Sequence, residues 1–341
     1  MISIIVPVRN GAHTLGDCLT ALERQTIPHE RYEIIVVDDG STDETAALAR
    51  RAGVMVAGIA PSGPAAARNH GARLAQGELL LFTDADCAPA PDWAELMQAA
   101  FDDAAVAGAK GVYRTRERGW VPRFVQLEYE SKYERMSRQS TIDFIDTYSA
   151  AYRCDVFLAS GGFDASFPTP SVEDQEFSFR LARQGHKLTF VPNAVVYHRH
   201  DLNLVEYASR KLRIGYWKAA LLRRHPAKAL GDSHTPLSQR LQIVLLGAAV
   251  MMLALGWRSP LVVATSLSLL LMFAFSAVPF MFFILKHDSP IIAIAPLMLL
   301  VRAIALGAGL ALGGSRGLLT AAAEFLRYNL REILARTSKH R

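Results

Sequence analysis

The sequence predicts an α/β domain, built on a mostly parallel sheet with helices on both faces, followed by a helical membrane region. Short β-rich runs alternate with helical stretches over the first 83 positions, as parallel strands require because each must return by a crossover. Acids and small polar residues cluster after three of those runs, at the strand ends where such sheets bind ligands. Residues 241–313 then hold only four formal charges, Arg258, Lys286, Asp288 and Arg302, after 240 residues that are charged and mixed. A chain of 341 residues has room for both parts.

The first strand is read at 2–8, where ISIIVPV is almost continuously apolar, as a strand covered on both faces must be. A helix at 14–25, a strand at 33–38, a helix at 43–51, a strand at 54–59, a helix at 64–76 and a strand at 78–83 follow. Pro7, Val8, Arg9 and Asn10 come after the first strand, Asp38 to Thr42 after the second, and Asp84, Ala85 and Asp86 after the fourth. In a parallel sheet these three clusters converge on one edge. Ser41 and Glu44 have the spacing of a capping box for the following helix. Asp38 and Asp39 have no such structural reason, since adjacent carboxylates repel unless a ligand or cation uses them.

From about 105 to 200 the pattern is less regular and reads as the acceptor-side half of the same domain, 1–200. It holds an aromatic-rich helix at 120–136, a Gly161-Gly162-Phe163-Asp164 turn, a helix from about Glu173, and strands at 188–191 and 194–197. The paired glycines permit close backbone approach to a ligand or serve as a plain turn. On their own, Glu173 and Asp174 are explained by a helix N-terminus, where the dipole favours acids.

Cys18, Cys87 and Cys154 are odd in number and far apart, which excludes a disulfide framework or a CxxC zinc site and leaves ordinary thiols. The N-terminus has no basic, long-apolar leader, so the catalytic part is expected in the cytoplasm. The net charge of +5 concentrates beside the apolar stretch. Residues 199–228 carry eight Lys or Arg against two acids, and 314–341 carry six against two, a distribution that fits membrane-surface contacts rather than nucleic acid.

Residues 201–240 are accordingly expected to form a basic interfacial helical segment, with Arg210, Lys211, Arg213 and Lys218 among headgroups beside Tyr216 and Trp217. Residues 241–313 are expected to give two or three transmembrane helices, and 314–341 an amphipathic basic helix. Arg302 near the centre of the third apolar stretch, and the basic residues after it, argue against a simple third crossing. That stretch is re-entrant or packed on the others, with Arg302 facing protein or a lipid phosphate. Gly307, Gly309 and Gly313 follow no soluble strand, so close helix packing is their expected use.

Asp84 and Asp86 end an apolar strand one residue apart, a placement from which two carboxylates can offer oxygen ligands to a hard divalent cation. Further motifs appear in a fixed order: SIIVPVRN at 3–10, VVDDGSTDET at 36–45, ARNHG at 67–71, TDADC at 83–87, GGFD at 161–164, EDQEFSFRLARQG at 173–185 and VVYH at 195–198. Over residues 2 to about 200 the set resembles glycosyltransferase family 2, inverting enzymes with a GT-A, Rossmann-like nucleotide-sugar fold. Membrane-anchored bacterial members of the succinoglycan and exopolysaccharide type are the most similar in layout.

The resemblance implies that Pro7 and Arg9 line a nucleotide pocket, that Asp39 hydrogen-bonds the base, usually uracil, and that Arg68 approaches the nucleotide. It implies Asp84 near the ribose and metal, Asp86 as a direct ligand of Mn2+ or Mg2+, and His198 as a second ligand reaching the cation or diphosphate. An imidazole suits manganese better than magnesium. Asp174 is implied as the catalytic base that takes the acceptor hydroxyl's proton, with Glu173 beside it, and Gly161, Gly162 and Asp164 shaping the sugar and acceptor cleft.

Where processive relatives carry QxxRW, this chain has KLRIGYWK at 211–218, which points to transfer of a single sugar rather than polymer synthesis. A soluble nucleotide-sugar donor with a membrane-anchored site implies a lipid-linked acceptor on the cytoplasmic face of the inner membrane. An enzyme loading sugar onto a polyprenyl phosphate is the alternative within the family. A nucleotidyltransferase would want a richer phosphate loop than VPVRNGAHT, and a non-catalytic membrane binding protein would not need Asp86, Asp174 and His198 together.

Overall fold

The computed structural model describes residues 1–167 and 172–338, with side chains as far as Arg316. β1 (Ile2–Val8), α1 (Leu15–Glu23), β2 (Tyr32–Asp38), α2 (Thr45–Arg51), β3 (Met55–Gly58), α3 (Pro64–Leu74) and β4 (Leu79–Phe82) alternate as the sequence predicts. β1 pairs in parallel with β2 and β4, and β2 with β3. Ile4, Ile5, Val6, Ile35, Val36, Leu80 and Leu81 have no exposed surface, so the apolar runs are covered on both faces.

The remaining strands are β5 (Cys87–Pro89), β6 (Val106–Arg114), β7 (Ala150–Arg153) and β8 (Lys187–His198). They complete one eight-stranded sheet in the order β3-β2-β1-β4-β7-β6-β8-β5. β7 is antiparallel to β4 and β6, and β5 to β8, while β6 and β8 are parallel. The two strands expected at 188–191 and 194–197 are one, with irregularities in its pairing to β6 between Lys110 and Val112. Between the strands lie α4 (Trp93–Ala99), α5 (Trp120–Met136), α6 (Cys154–Ala159) and α7 (Glu173–Arg183).

The capping box does not form. α2 begins at Thr45, after a turn in which the Ser41 hydroxyl accepts from Asn10 N at 2.8 Å and Asp43 accepts from Thr45 N at 3.0 Å. Asp38 and Asp39 also have structural uses. Asp38 accepts from Ser41 N at 2.9 Å, and the two oxygens of Asp39 accept from Ser62 N at 2.6 Å and Gly63 N at 2.9 Å. Each carboxylate closes a loop at the strand ends, so neither needs a ligand to be tolerated.

Four helices follow the sheet: α8 (Leu204–Arg224), α9 (Leu237–Gly256), α10 (Pro260–His287) and α11 (Ala295–Ser338). α9, α10 and residues Ala295–Arg316 of α11 are each long and apolar enough to cross a membrane. The amphipathic face expected within 314–341 lies outside the described side chains.

Of the four cations expected among headgroups on α8, Arg213 is exposed and the other three turn toward protein. Arg210 pairs with Asp201 at 2.7 Å, Lys211 with the buried Glu128 of α5 at 2.8 Å, and Lys218 donates to Thr235 at 2.9 Å. These cations serve the protein interior because α8 is sandwiched between α5 and α11. Arg302 faces protein too, donating to Glu128 at 2.6 Å and to Gln242 of α9 at 2.7 Å. Burial pushes the Glu128 carboxyl up, but Lys211 and Arg302 outweigh it and hold the group far below the ordinary carboxylate range.

Gly309 and Gly313 pack against α8, where an added Cβ would strike the carbonyls of Leu212 and Tyr216, whereas Gly307 sits beside Ile243 of α9.

Candidate active site

The ends of β1, β2 and β4 open onto a cleft of about 550 Å³ lined by Pro7, Arg9, Asp39, Arg68, Asp84 and Asp86. Asn10 shapes its rim. It adopts a left-handed φ of 53°, which asparagine tolerates better than most residues, and its side-chain oxygen accepts from Thr42 N at 2.8 Å. The β1 and β2 loops are thereby strapped together.

Arg68 on α3 is the hub. Its guanidinium, 3% exposed as a residue, donates to Asp84 at 2.7 Å and to Glu173 at 3.2 Å, so one cation ties the strand-end acids to the start of α7. These two bonds, one from each terminal nitrogen, make it a positioning residue for two acidic stretches separated by some 90 positions of sequence. Next to it, Asn69 exchanges two hydrogen bonds with the backbone of Phe163, at 2.7 and 2.9 Å.

The GGFD turn therefore docks on α3 rather than lining the cleft. Gly161 and Gly162 have φ of +80° and +66°, and a Cβ on Gly162 would strike the Asn69 side chain. Asp164 pairs with Arg224 at the end of α8.

Asp86 and His198 meet because β5 and β8 run antiparallel with Cys87 opposite His198. His198 Nε2 lies 2.9 Å from Asp86 Oδ2, and its ring stacks on Tyr113 with centroids 4.8 Å apart. Burial raises the Asp86 carboxyl, but the hydrogen bond and charge of His198 more than compensate and leave it below its ordinary value.

The ligand atoms of Asp86, Cys87 and His198 all lie within 4.8 Å of one another. Burial, with Asp84 and Asp86 nearby, pushes the Cys87 thiol well above its usual range, so it stays protonated and the usable donors are the carboxylate and the imidazole. An oxygen and nitrogen set that is partly open to the cleft fits a divalent cation of the manganese kind.

Asp174 lies in the first turn of α7, beside Glu173. Burial and the Glu173 charge push its carboxyl up to about 7, against the opposing pull of the Gln175 amide, Arg68 and Lys110. Lys110 on β6 is fully buried, ion-paired with Asp146 and 3.2 Å from the Tyr148 hydroxyl. Neither Lys110 nor Asn69 was assigned a role from sequence. Lys110 did carry a signal, as the one charge inside the otherwise apolar VAGAKGVY, where it demands a partner.

Residues 3–159 match the model of the family described as Glycosyl transferase family 2. Curated relatives include a pre-mycofactocin glycosyltransferase of Mycobacterium tuberculosis, 29% identical over 67% of this chain and 48% of its own length. A validoxylamine A glucosyltransferase of Streptomyces hygroscopicus subsp. jinggangensis is 30% identical over 55% of this chain and 53% of its own. The chain thus spans about half the length of these curated relatives. Among solved structures, a mannosyltransferase from Pyrobaculum calidifontis in complex with GDP-Man and Mn2+ shares the fold, with TM-score 0.57 and 21% identity over 89% of this chain and 86% of that one.

Proposed function

We propose that the chain, whose residues 3–159 match the glycosyl transferase family 2 model and whose fold is shared with a mannosyltransferase, is a glycosyltransferase that moves a single sugar, with inversion, from a nucleotide-sugar to a lipid-linked acceptor. One observation supports this most: Arg68 ties Asp84 of the DxD stretch to Glu173, the neighbour of Asp174, at the cleft where the strands end. Arg68 thereby links the cleft, where Asp84 and Asp86 would manage a diphosphate leaving group, to the first turn of α7, where the residue that would take up the proton lies.

In this reading Pro7 and Arg9 receive the nucleotide, and Asp39 reaches the base from the loop it already clamps. The family's usual base makes UDP the expected nucleotide. Asp86 and His198 would hold Mn2+ or Mg2+, which when bound neutralises charge on the leaving diphosphate. Asp174, half-buried and ionised above about pH 7, takes the proton of the acceptor hydroxyl as its oxygen attacks the anomeric carbon. A base on the face opposite the leaving group gives inversion. Glu173 and Arg68 hold Asp174 in register without touching the reacting atoms, and the docked GGFD turn sets the wall behind them.

The apolar helices favour an acceptor that lives in the bilayer, in cell-envelope or exopolysaccharide assembly, with the catalytic domain on the cytoplasmic face of the inner membrane. The test is transfer of labelled sugar from UDP-, GDP- and dTDP-sugars, with Mn2+, to polyprenyl-phosphate and polyprenyl-diphosphate-sugar acceptors. Label entering the solvent-extracted lipid is the expected result. Label that stays aqueous with every lipid acceptor, while a water-soluble sugar accepts it, removes the lipid acceptor.

A further inference from the structure

We infer that the α9 and α10 hairpin crosses the bilayer, whereas α11 lies along the membrane surface beside α8 and does not cross. The inference rests on the membrane reading above and decides which of three apolar helices act on it, since length and composition alone qualify all of them.

The three differ in what covers them. In the most apolar window of each helix, 17% of α9 and 11% of α10 is buried, against 44% of α11. Leu255, Leu261, Leu271 and Phe275 leave the hairpin exposed apolar, so it lacks a polar face to turn to water. At 1.5 Å per residue, the 20 residues of α9 extend about 30 Å and the 28 of α10 about 42 Å, enough for the hydrocarbon layer. α10 then ends against the catalytic domain. Phe280 meets Phe124 edge-on at 5.8 Å, and Asp288 accepts from Arg123 Nε at 2.8 Å.

α11 is instead part of the body that carries the active site. Gly309 and Gly313 lie on the carbonyls of Leu212 and Tyr216, and Gly215 lies on that of Leu306, so α8 and α11 run parallel with backbones in contact. Whatever depth α11 takes, α8 takes with it. α8 exposes Arg213, Arg223 and Arg224, and guanidinium groups at hydrocarbon depth are costly. Arg302 is satisfied by Glu128 and Gln242, inside protein. The apolar side chains that α11 leaves exposed, Leu297, Leu300, Ile304 and Leu312, recur at helical spacing and form one stripe, the pattern of a helix half-sunk at the acyl boundary.

Charge agrees. The turn between α9 and α10 carries one cation, Arg258, whereas the segment after α11's apolar stretch carries six against two acids. With α11 on the surface, that basic segment stays on the side of the catalytic domain, as the positive-inside rule asks.

The test uses the full chain in sealed membrane vesicles of both orientations, with Cys154→Ser to remove the half-buried native thiol. Single reporters are Glu30→Cys on the catalytic domain, Ser259→Cys at the hairpin turn and Ser315→Cys near the end of the described α11 side chains. An impermeant maleimide is expected to reach Glu30→Cys and Ser315→Cys from one face and Ser259→Cys from the other. Labelling after denaturation, in excess of what Cys18 and Cys87 give in the reporter-free chain, checks that each reporter is present. If Ser315→Cys labels with Ser259→Cys, opposite Glu30→Cys, α11 crosses and the inference fails while the membrane reading stands. If all three label from one face, or the chain washes off in carbonate, the hairpin does not cross and both fail.

Discussion

At Asp174 the burial that raises the carboxyl also works against the fold. Its folded-state value of about 7 is above that of an exposed carboxylate, so between the two the folded chain holds the extra proton. The group's contribution to stability is therefore full at low pH and lost as pH rises through about 7. Asp174→Asn is expected to abolish transfer yet raise the melting temperature, with the gap from the unsubstituted chain widening from pH 5 to 8. The kcat/KM of the unsubstituted enzyme should fall on the acid side of about pH 7. A melting temperature that drops equally at every pH would show Asp174 to be an ordinary cap. Arg68 behaves oppositely. Arg68→Ala removes the cation shared by the buried Glu173 and the one-third exposed Asp84 and is expected to cost about 3–5 kcal/mol in urea unfolding. Arg68→Lys, a point charge unable to fork between Asp84 and Glu173, should recover part of that stability and little activity.

Elements carry the second level. The run from β1 to β4 was legible because apolar strands, helix periods and polar strand ends agree at each step. α5 was bounded to the residue, at Trp120–Met136. The antiparallel return through β7 was not readable, since its Ala-Ala-Tyr-Arg run carries no signal of direction. The cluster around β5 was half-legible: the acids and the histidine stood out, but their contact depends on the β5 to β8 register. Asp39 and Arg68 were visible as residues, while their protein partners were hidden because loop closure leaves no periodic trace. At this scale Gly162→Ala is expected to cost roughly 1–3 kcal/mol, from the left-handed backbone together with the collision at Asn69. Thermal unfolding measures it, and Asn69→Ala in the same chain should relieve the collision but not the backbone strain.

Over the whole molecule, one buried carboxylate joins the soluble and apolar parts. Glu128 of α5 meets Tyr207 and Lys211 of α8 and Arg302 of α11, so the catalytic sheet and the apolar helices share a polar joint. Arg302→Met alone should destabilise the detergent-solubilised chain by about 3–5 kcal/mol, because it leaves Glu128 undercompensated. Combined with Glu128→Gln it should cost less than the two single changes added together, a coupling that a double-mutant cycle reads directly. Additive losses would mean that the joint contributes no mutual stabilisation.

The central claim is that acids from separate stretches of chain build one metal-dependent nucleotide-sugar cleft. Calorimetric titration of UDP and GDP, with and without Mn2+, into the unsubstituted chain, Asp86→Ala and Asp174→Asn tests it most directly. The expected result is Mn2+-dependent binding of a nucleoside diphosphate to the unsubstituted chain and to Asp174→Asn, weakened at least tenfold, or about 1.4 kcal/mol, in Asp86→Ala. Equal affinity with and without Mn2+, unchanged by Asp86→Ala, would contradict it.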